Sequence, residues 1–554
     1  MNLEPLLKNL YRNPRLILFT LIFLYLFLEV LNITLPGLYD DEAFAVCGTL
    51  QIIKKIGPFI PSVKIFNTHF PLMLVDYEAA MESYLLLPFL SLFGVNVVTI
   101  RLVPIFAGAL GLILLYFFIK RFFDTKTALL SIVLLVINPV FLLESKLGLN
   151  SASILHFAMM AVLLCFFTWY QKRKISYFIC GVFFLSIGLS IRAWYAWFVV
   201  ALLILGLMYN RRICPLLERK KTIYILVGAV AFSLGSILFI VYNFTTRFST
   251  WRFVIDAFFL PVINADNQHY VNNFLHRLRI LSEYISGQWS FMEQGSWFHR
   301  SWNYPEPFAK TPVNNMLKWT FYAGFLWLVL SFLFKRSFFS KKRILFLCGL
   351  ILIIMVLSPL VPSRLDGPHL FILYPFLMIT IAVALVDFAK RNKYLSFLAV
   401  CIFSLIMLLN IKILFDWQYY FKYTGGIGNN SDAIYALADW LKTQQIKKPI
   451  LCDWGMQHNL IALGDGVLES KVFYGSVGAF PYGKGDEDVS FIENCREYFI
   501  NPSYRYIFHA PIFTNMDRFD TFARIAREMN KNVSEEKIFY QKDGKPVFIV
   551  YSVN

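Results

Sequence analysis

The sequence predicts a polytopic α-helical membrane protein with about eleven transmembrane helices and a C-terminal extracytoplasmic α/β domain. Three observations carry this. The 554-residue chain is 58% hydrophobic and 16% charged, with a mean hydropathy of +0.57, a composition foreign to water-soluble globules. Apolar windows of roughly twenty residues, the length that crosses a hydrocarbon core of about 30 Å, recur along the first three quarters of the chain. Basic clusters occupy alternate connections between them, as the positive-inside rule requires of cytoplasmic loops.

The windows fall near 15–35, 97–119, 127–145, 152–170, 175–191, 194–209, 223–242, 314–334, 344–361, 369–388 and 395–414. The basic connections are Lys8/Arg12/Arg15, Lys120/Arg121/Lys126, Lys172/Arg173/Lys174, Arg211/Arg212/Arg219/Lys220/Lys221, Lys335/Arg336/Lys341/Lys342/Arg343 and Lys390/Arg391/Lys393. The formal charge of +17 is thereby spent on topology and gives no continuous face for nucleic acid. The amino terminus is expected inside. An odd number of spans puts the carboxyl terminus outside, together with two long connections, 36–96 and 243–313. The first window is too long for a signal-peptide core and has no small-residue cleavage site, so it reads as a retained anchor.

Within 36–96, Asp40-Asp41-Glu42 stands where the chain leaves the first window. Carboxylates beside hydrocarbon are poorly solvated and tend toward raised pKa values, which suits a general base. The plainer reading, a solvated loop start, is illustrated by Asp486-Glu487-Asp488, which has no such setting. A helix is expected over 43–56, then breakers at Pro58, Pro61 and Pro71, then an apolar stretch, 84–93, too short to span and suited to the interface plane. The 243–313 connection is rich in Trp and Tyr (Trp251, Trp289, Trp297, Trp302), either an aromatic belt or a loop covering a cavity.

Beyond Asp416 the hydropathy falls and strands alternate with helices: a helix over 431–442 with a Ser N-cap, strands over 449–452, 471–474 and 505–508, a helix over 517–529, and a hairpin of 537–540 with 546–551. The chain is thus divided into a membrane domain, 1–415, and an α/β domain, 416–554. Gly425-Gly426-x-Gly428 neither follows a strand nor carries Lys-Ser/Thr, and reads as a flexible linker rather than a phosphate loop. Eight cysteines (47, 165, 180, 214, 348, 401, 452, 495) show no metal spacing; a Cys452–Cys495 bridge is conceivable. There is no internal repeat at a fixed period.

Polar groups gather on the same predicted outer side as the acidic triplet: Glu144, Lys146 and Asn150 after the third window, Arg192 after the fifth, Arg364, Asp366 and His369 after the ninth. An acidic base with several arginines is what transfer from a phosphate-carrying lipid needs, although each arginine alone also suits an interface anchor.

Leu38-Tyr39-Asp40-Asp41-Glu42-Ala43, His69-Phe70-Pro71-Leu72, Phe93-Gly94 with Arg101-Leu102, and Gly367-Pro368-His369-Leu370 with Leu373-Tyr374-Pro375 together resemble motifs of the GT-C glycosyltransferases of the protein O-mannosyltransferase and aminoarabinose transferase superfamily. The resemblance covers residues 10 to 415. It implies a GT-C-like fold and an enzyme that moves a sugar from a polyprenyl-phosphate carrier to a lipid, protein or glycan acceptor on the outer face of the plasma (inner) membrane. It maps the catalytic acid to Asp41 or Glu42, with Asp40 as an off-register rival. The second acidic residue such proteins often carry falls to Glu144 or is missing. His69, Glu144, Arg192, Arg364 and His369 are the candidate substrate-binding residues; Arg192, Arg364 and His369 are suited to the leaving phosphate. Partners are the lipid-linked donor, membrane lipids and the acceptor. No cofactor and no metal site is written in the chain, and a divalent-metal requirement is left open. The alternatives are a transporter, which calls for ionisable groups near mid-helix and for repeat symmetry, and an envelope assembly protein without catalysis.

Overall fold

A computed structural model describes residues 13–148, 151–207, 221–260, 265–293, 313–334, 337–361, 365–473, 489–513 and 518–554. The chain opens with α1 (Pro14–Val30) and α2 (Asp40–Lys54). Two short antiparallel ribbons follow: β1 (Ser62–Ile65) with β2 (Thr68–Pro71), and β3 (Met73–Val75) with β4 (Glu78–Ala79). Next come α3 (Met81–Phe93), α4 (Val97–Phe122), α5 (Thr125–Val136), α6 (Pro139–Leu147), α7 (Ala152–Lys172), α8 (Ile175–Ile191), α9 (Ala196–Leu207), α10 (Lys221–Gly235) and α11 (Ile237–Thr245). The 243–313 connection contains α12 (Ser249–Phe259), α13 (Tyr270–Ser286) and α14 (Gln288–Glu293), and the bundle closes with α15 (Asn315–Leu333), α16 (Lys341–Leu357), α17 (Tyr374–Ala389) and α18 (Lys393–Thr424).

Every predicted window holds an apolar helix. Among the described residues, five helices are long and apolar enough to cross a membrane, or seven when the pairs α5–α6 and α10–α11, bent by 67° and 75°, each count as one span, against the eleven windows read from the sequence. The bend between α5 and α6 has a local cause: Asn138 caps α6, its Oδ1 accepting from Phe141 N at 3.0 Å, and Pro139 follows at the first helical position. α3 is the short apolar helix expected near 84–93. It exposes Leu85, Leu92 and Phe93, which suits a helix lying along a lipid surface.

The C-terminal domain contains α19 (Ala433–Thr443), β5 (Ile450–Leu451), α20 (Gln457–Leu463), β6 (Lys471–Val472), α21 (Val489–Tyr498), β7 (Tyr506–His509), α22 (Arg518–Glu528), β8 (Val533–Tyr540) and β9 (Pro546–Val553). Its sheet runs β6-β5-β7-β9-β8, parallel across β6, β5 and β7 and antiparallel from β7 through β9 to β8. The expected Ser N-cap is displaced by one residue: the N-cap of α19 is Asp432, and Ser431, one position ahead of it, accepts through Oγ from Ala433 N at 3.2 Å. Two helices were not foreseen, α20 and α21. Each is ten residues or fewer and too short for the apolar period to stand out.

Two expectations are corrected. The Gly425–Gly428 segment is a packed joint rather than a flexible linker: residues 425–430 are buried, and Gly425, Gly426 and Gly428 adopt φ of +79°, +98° and +56°, where only glycine is unstrained. Gly37 N donates to Asn430 O at 2.7 Å, and a Cβ on Gly37 would lie 2.2 Å from Ser431 O. Cys452 and Cys495 are both buried in the core of the sheet domain and form no disulfide bridge with each other. The main apolar core runs without a break from the bundle, through Trp417, Tyr420 and Ile427, into Leu437, Leu441, Ile507 and Phe548. The sheet domain is therefore built onto the bundle.

Candidate active site

The site is organised by the first turn of α2. Successive residues of an α-helix point about 100° apart, so Asp40, Asp41 and Glu42 face three ways and cannot share a partner. Glu42 is buried and turns to α4, where Arg101 grips it through Nε–Oε2 and Nη2–Oε1, both 2.9 Å. The remaining Arg101 donors go to the carbonyls of Ile33, Pro36 and Gly37 at 2.8, 2.9 and 3.1 Å, so all five N–H groups are used. Glu42 Oε1 also accepts from Tyr39 N at 3.1 Å, closing the helix start. Asp40, equally buried, turns to the sheet domain: its Oδ1 accepts from His458 N at 2.7 Å and its Oδ2 from His458 Nδ1 at 2.9 Å. Of the three, only Asp41 is half-exposed.

The charge of Asp41 acts on a carboxylate that sequence reasoning did not single out. Glu78, on β4, is 6% exposed and ion-paired with Arg192 at the C-terminal end of α8. Burial pushes the Glu78 carboxyl up from the usual 4.5 to about 7; the Arg192 guanidinium opposes this, and the nearby charges of Asp41 and Glu82 add to it. Glu82 Oε2 accepts from Ser151 Oγ at 2.7 Å. Arg192 keeps one buried nitrogen, Nε, without a hydrogen-bond partner. Only four residues separate Glu78 from Glu82, one turn of α3 and its lead-in; that spacing was the signal available in the sequence, diluted by apolar neighbours.

Because Glu78 holds its proton in the folded chain and loses it in the unfolded chain between pH 4.5 and about 7, the stability it confers is complete below that window and is lost as pH rises through it. A Glu78→Gln variant has no such proton. The difference in melting temperature between wild type and variant is expected to move in the variant's favour from pH 5 to pH 8, and a difference that stays constant would show that Glu78 ionises normally.

The other candidates are distributed as follows. His369, in the 3₁₀ turn 368–373, is buried with its ring 5.9 Å from that of Trp194, two residues beyond Arg192, so it joins the same end of the bundle. Glu144 is fully buried and accepts from Ser290 Oγ at 3.2 Å, which turns it toward the 243–313 connection. His69 sits on β2 opposite Lys64 and lines a separate open cavity of about 370 Å³ with Pro58, Phe59 and Pro61. Arg364 lies outside the described residues. The buried Arg277 of α13 donates to the carbonyls of Ser358 at 3.1 Å and Asp366 at 2.6 Å, tying the aromatic connection to the turn that carries His369. Among the described residues no group of three or more His, Cys, Asp or Glu could hold a metal ion.

Residues 78–239 match the family model described as dolichyl-phosphate-mannose-protein mannosyltransferase. No curated protein matches the sequence. Among solved structures, ArnT from Cupriavidus metallidurans bound to undecaprenyl phosphate superposes with a TM-score of 0.56 at 11% identity, over 97% of each chain. Archaeal oligosaccharyltransferase AglB from Archaeoglobus fulgidus, in complex with an inhibitory peptide and a dolichol-phosphate, gives 0.53 at 14% identity over 94% of this chain and 69% of that one. The Archaeoglobus fulgidus oligosaccharyltransferase tethered with an acceptor peptide gives 0.54 at 14% identity over 97% and 74%. The chain is an integral membrane protein with the GT-C fold of these structures, and the ArnT coverage takes in the sheet domain as well as the bundle.

Proposed function

We propose that this protein is a membrane glycosyltransferase that takes a sugar from a polyprenyl-phosphate carrier and passes it to a lipid, protein or glycan acceptor. The observation that carries the reading is the half-exposed Asp41, set beside the buried Glu78–Arg192 pair in a GT-C fold whose solved members bind undecaprenyl phosphate and dolichol-phosphate.

Asp41, the partly exposed member of the triplet, is assigned as the base: it takes the acceptor's proton as the acceptor oxygen attacks the anomeric carbon. The bond from that carbon to the carrier phosphate breaks, and the phosphate leaves with growing negative charge. Arg192 has the charge, the position and the spare buried nitrogen to receive it, and Glu78 holds the guanidinium in place. His369, on the same side, is a second candidate for the phosphate. Glu42 and Asp40 build the helix start, and Glu144 braces the connection that covers the bundle end. The polyprenyl tail lies between bundle helices and the 243–313 connection. The charge pattern of the connections supports a cytoplasmic amino terminus, with the site and the sheet domain on the outer face of the plasma membrane.

The experiment is direct: purified full-length protein is incubated with a radiolabelled undecaprenyl-phosphate sugar, and release of undecaprenyl phosphate is followed together with mass spectrometry of envelope glycolipids and glycoproteins from cells with and without the gene. An intact donor, and glycans unchanged by loss of the gene, sink the proposal and leave the transporter and assembly readings standing.

A further inference from the structure

We propose that His458, contributed by the sheet domain, is a positioning residue of the site: by clamping Asp40 it fixes the first turn of α2 and so the direction in which Asp41 points. The proposal rests on the reading of Asp41 as the base. His458 and Asp40 are 418 residues apart, and both are buried. Two hydrogen bonds join them, one from the backbone N–H of residue 458 and one from Nδ1. Asp40 as a carboxylate can only accept, so Nδ1 carries the proton.

The histidine is held from other sides as well. Its ring stacks on Phe44, one turn along α2, with centroids 3.6 Å apart and planes 27° apart. Its carbonyl accepts from Cys47 Sγ at 3.6 Å. The next residue, Asn459, fully buried, donates through Nδ2 to Leu38 O at 3.1 Å, just ahead of the helix. Arg101 grips Glu42 from the bundle side and His458 grips Asp40 from the sheet-domain side. The residue between them, whose charge reaches Glu78, has its angle set by two clamps that belong to different domains. A misplacement of about 1 Å in such a group costs roughly a hundredfold in rate, so the sheet domain completes the site without supplying a group that touches substrate.

The test uses full-length protein in nanodiscs with His458→Ala and His458→Asn. Asn places its Nδ2 where Nδ1 stands and can donate to Asp40; Ala cannot. The first readout is amide hydrogen exchange over residues 40–46, expected about tenfold faster in His458→Ala, as loss of one hydrogen bond predicts, and restored in His458→Asn. The second is turnover of undecaprenyl-phosphate mannose, expected to fall roughly a hundredfold in kcat for His458→Ala with KM for the donor unchanged, and to return in large part with His458→Asn. Exchange unchanged in the Ala variant overturns the proposal, as does equal loss in both variants. If wild-type protein turns over no undecaprenyl-phosphate sugar, mannose included, the functional reading fails by itself, and the exchange measurement still decides whether the sheet domain fixes the helix.

Discussion

Replacing Arg101 by Met is expected to cost on the order of 3–5 kcal/mol of stability, because it strands the buried Glu42 charge and removes the donors serving three carbonyls. A buried ion pair adds little over an apolar pair of the same shape, but half of one is a charge without a partner in a medium that cannot solvate it. The consequence should be visible as a melting temperature lowered by several degrees in detergent, with poor yield of monodisperse protein. Removing both charges, Arg101→Met with Glu42→Gln, should recover part of the loss. If the single variant melts like wild type, the Arg101 anchorage of Glu42 and of the 33–37 segment does not hold the site together.

Asp41→Asn is expected to lower transfer by about 10²–10⁴-fold, the usual contribution of a general base, while leaving melting temperature and monodispersity where they were. The amide is nearly isosteric and cannot accept the proton. Asp40→Asn keeps the His458 N–H bond to Oδ1 but breaks the Nδ1 bond, so its loss of turnover should match the roughly hundredfold of His458→Ala and not exceed it. Glu42→Gln belongs with Arg101, and its defect should appear in stability before turnover. Turnover from undecaprenyl-phosphate mannose and thermal melting, measured on all three variants, separate these roles. Equal small losses in the Asp40 and Asp41 variants would show that the base is elsewhere.

The single-letter triplet Asp40-Asp41-Glu42 could be ranked by resemblance alone only as far as Asp41 or Glu42 with Asp40 as rival. Nothing local distinguishes three adjacent carboxylates, since each has the same neighbours and the same reference pKa. Their partners, Arg101 on another helix and His458 in another domain, are what separate them. The same holds for Arg192, which in sequence suits an interface anchor as well as a phosphate ligand. In space it meets Glu78 from 114 residues away. Glu144 could be proposed as the second acid because it follows the right window; the bend at Asn138-Pro139 and the turn of α6 aim it at Ser290 instead.

What the sequence by itself determined is whatever short-range physics dictates. Apolar windows long enough for hydrocarbon become helices and the 537–551 segment becomes a hairpin, since each depends on residues within a few positions of one another. The acidic triplet also announced itself, because carboxylates beside a membrane window are costly anywhere. The tertiary structure alone decided that Asp40 and Glu42 are buried against different partners while Asp41 stays partly exposed, that the Glu78 carboxyl is pushed up by burial with the Asp41 charge nearby, and that a histidine of the sheet domain holds Asp40. Those outcomes depend on desolvation and on contacts between segments hundreds of residues apart, and neither quantity exists until the chain has closed on itself.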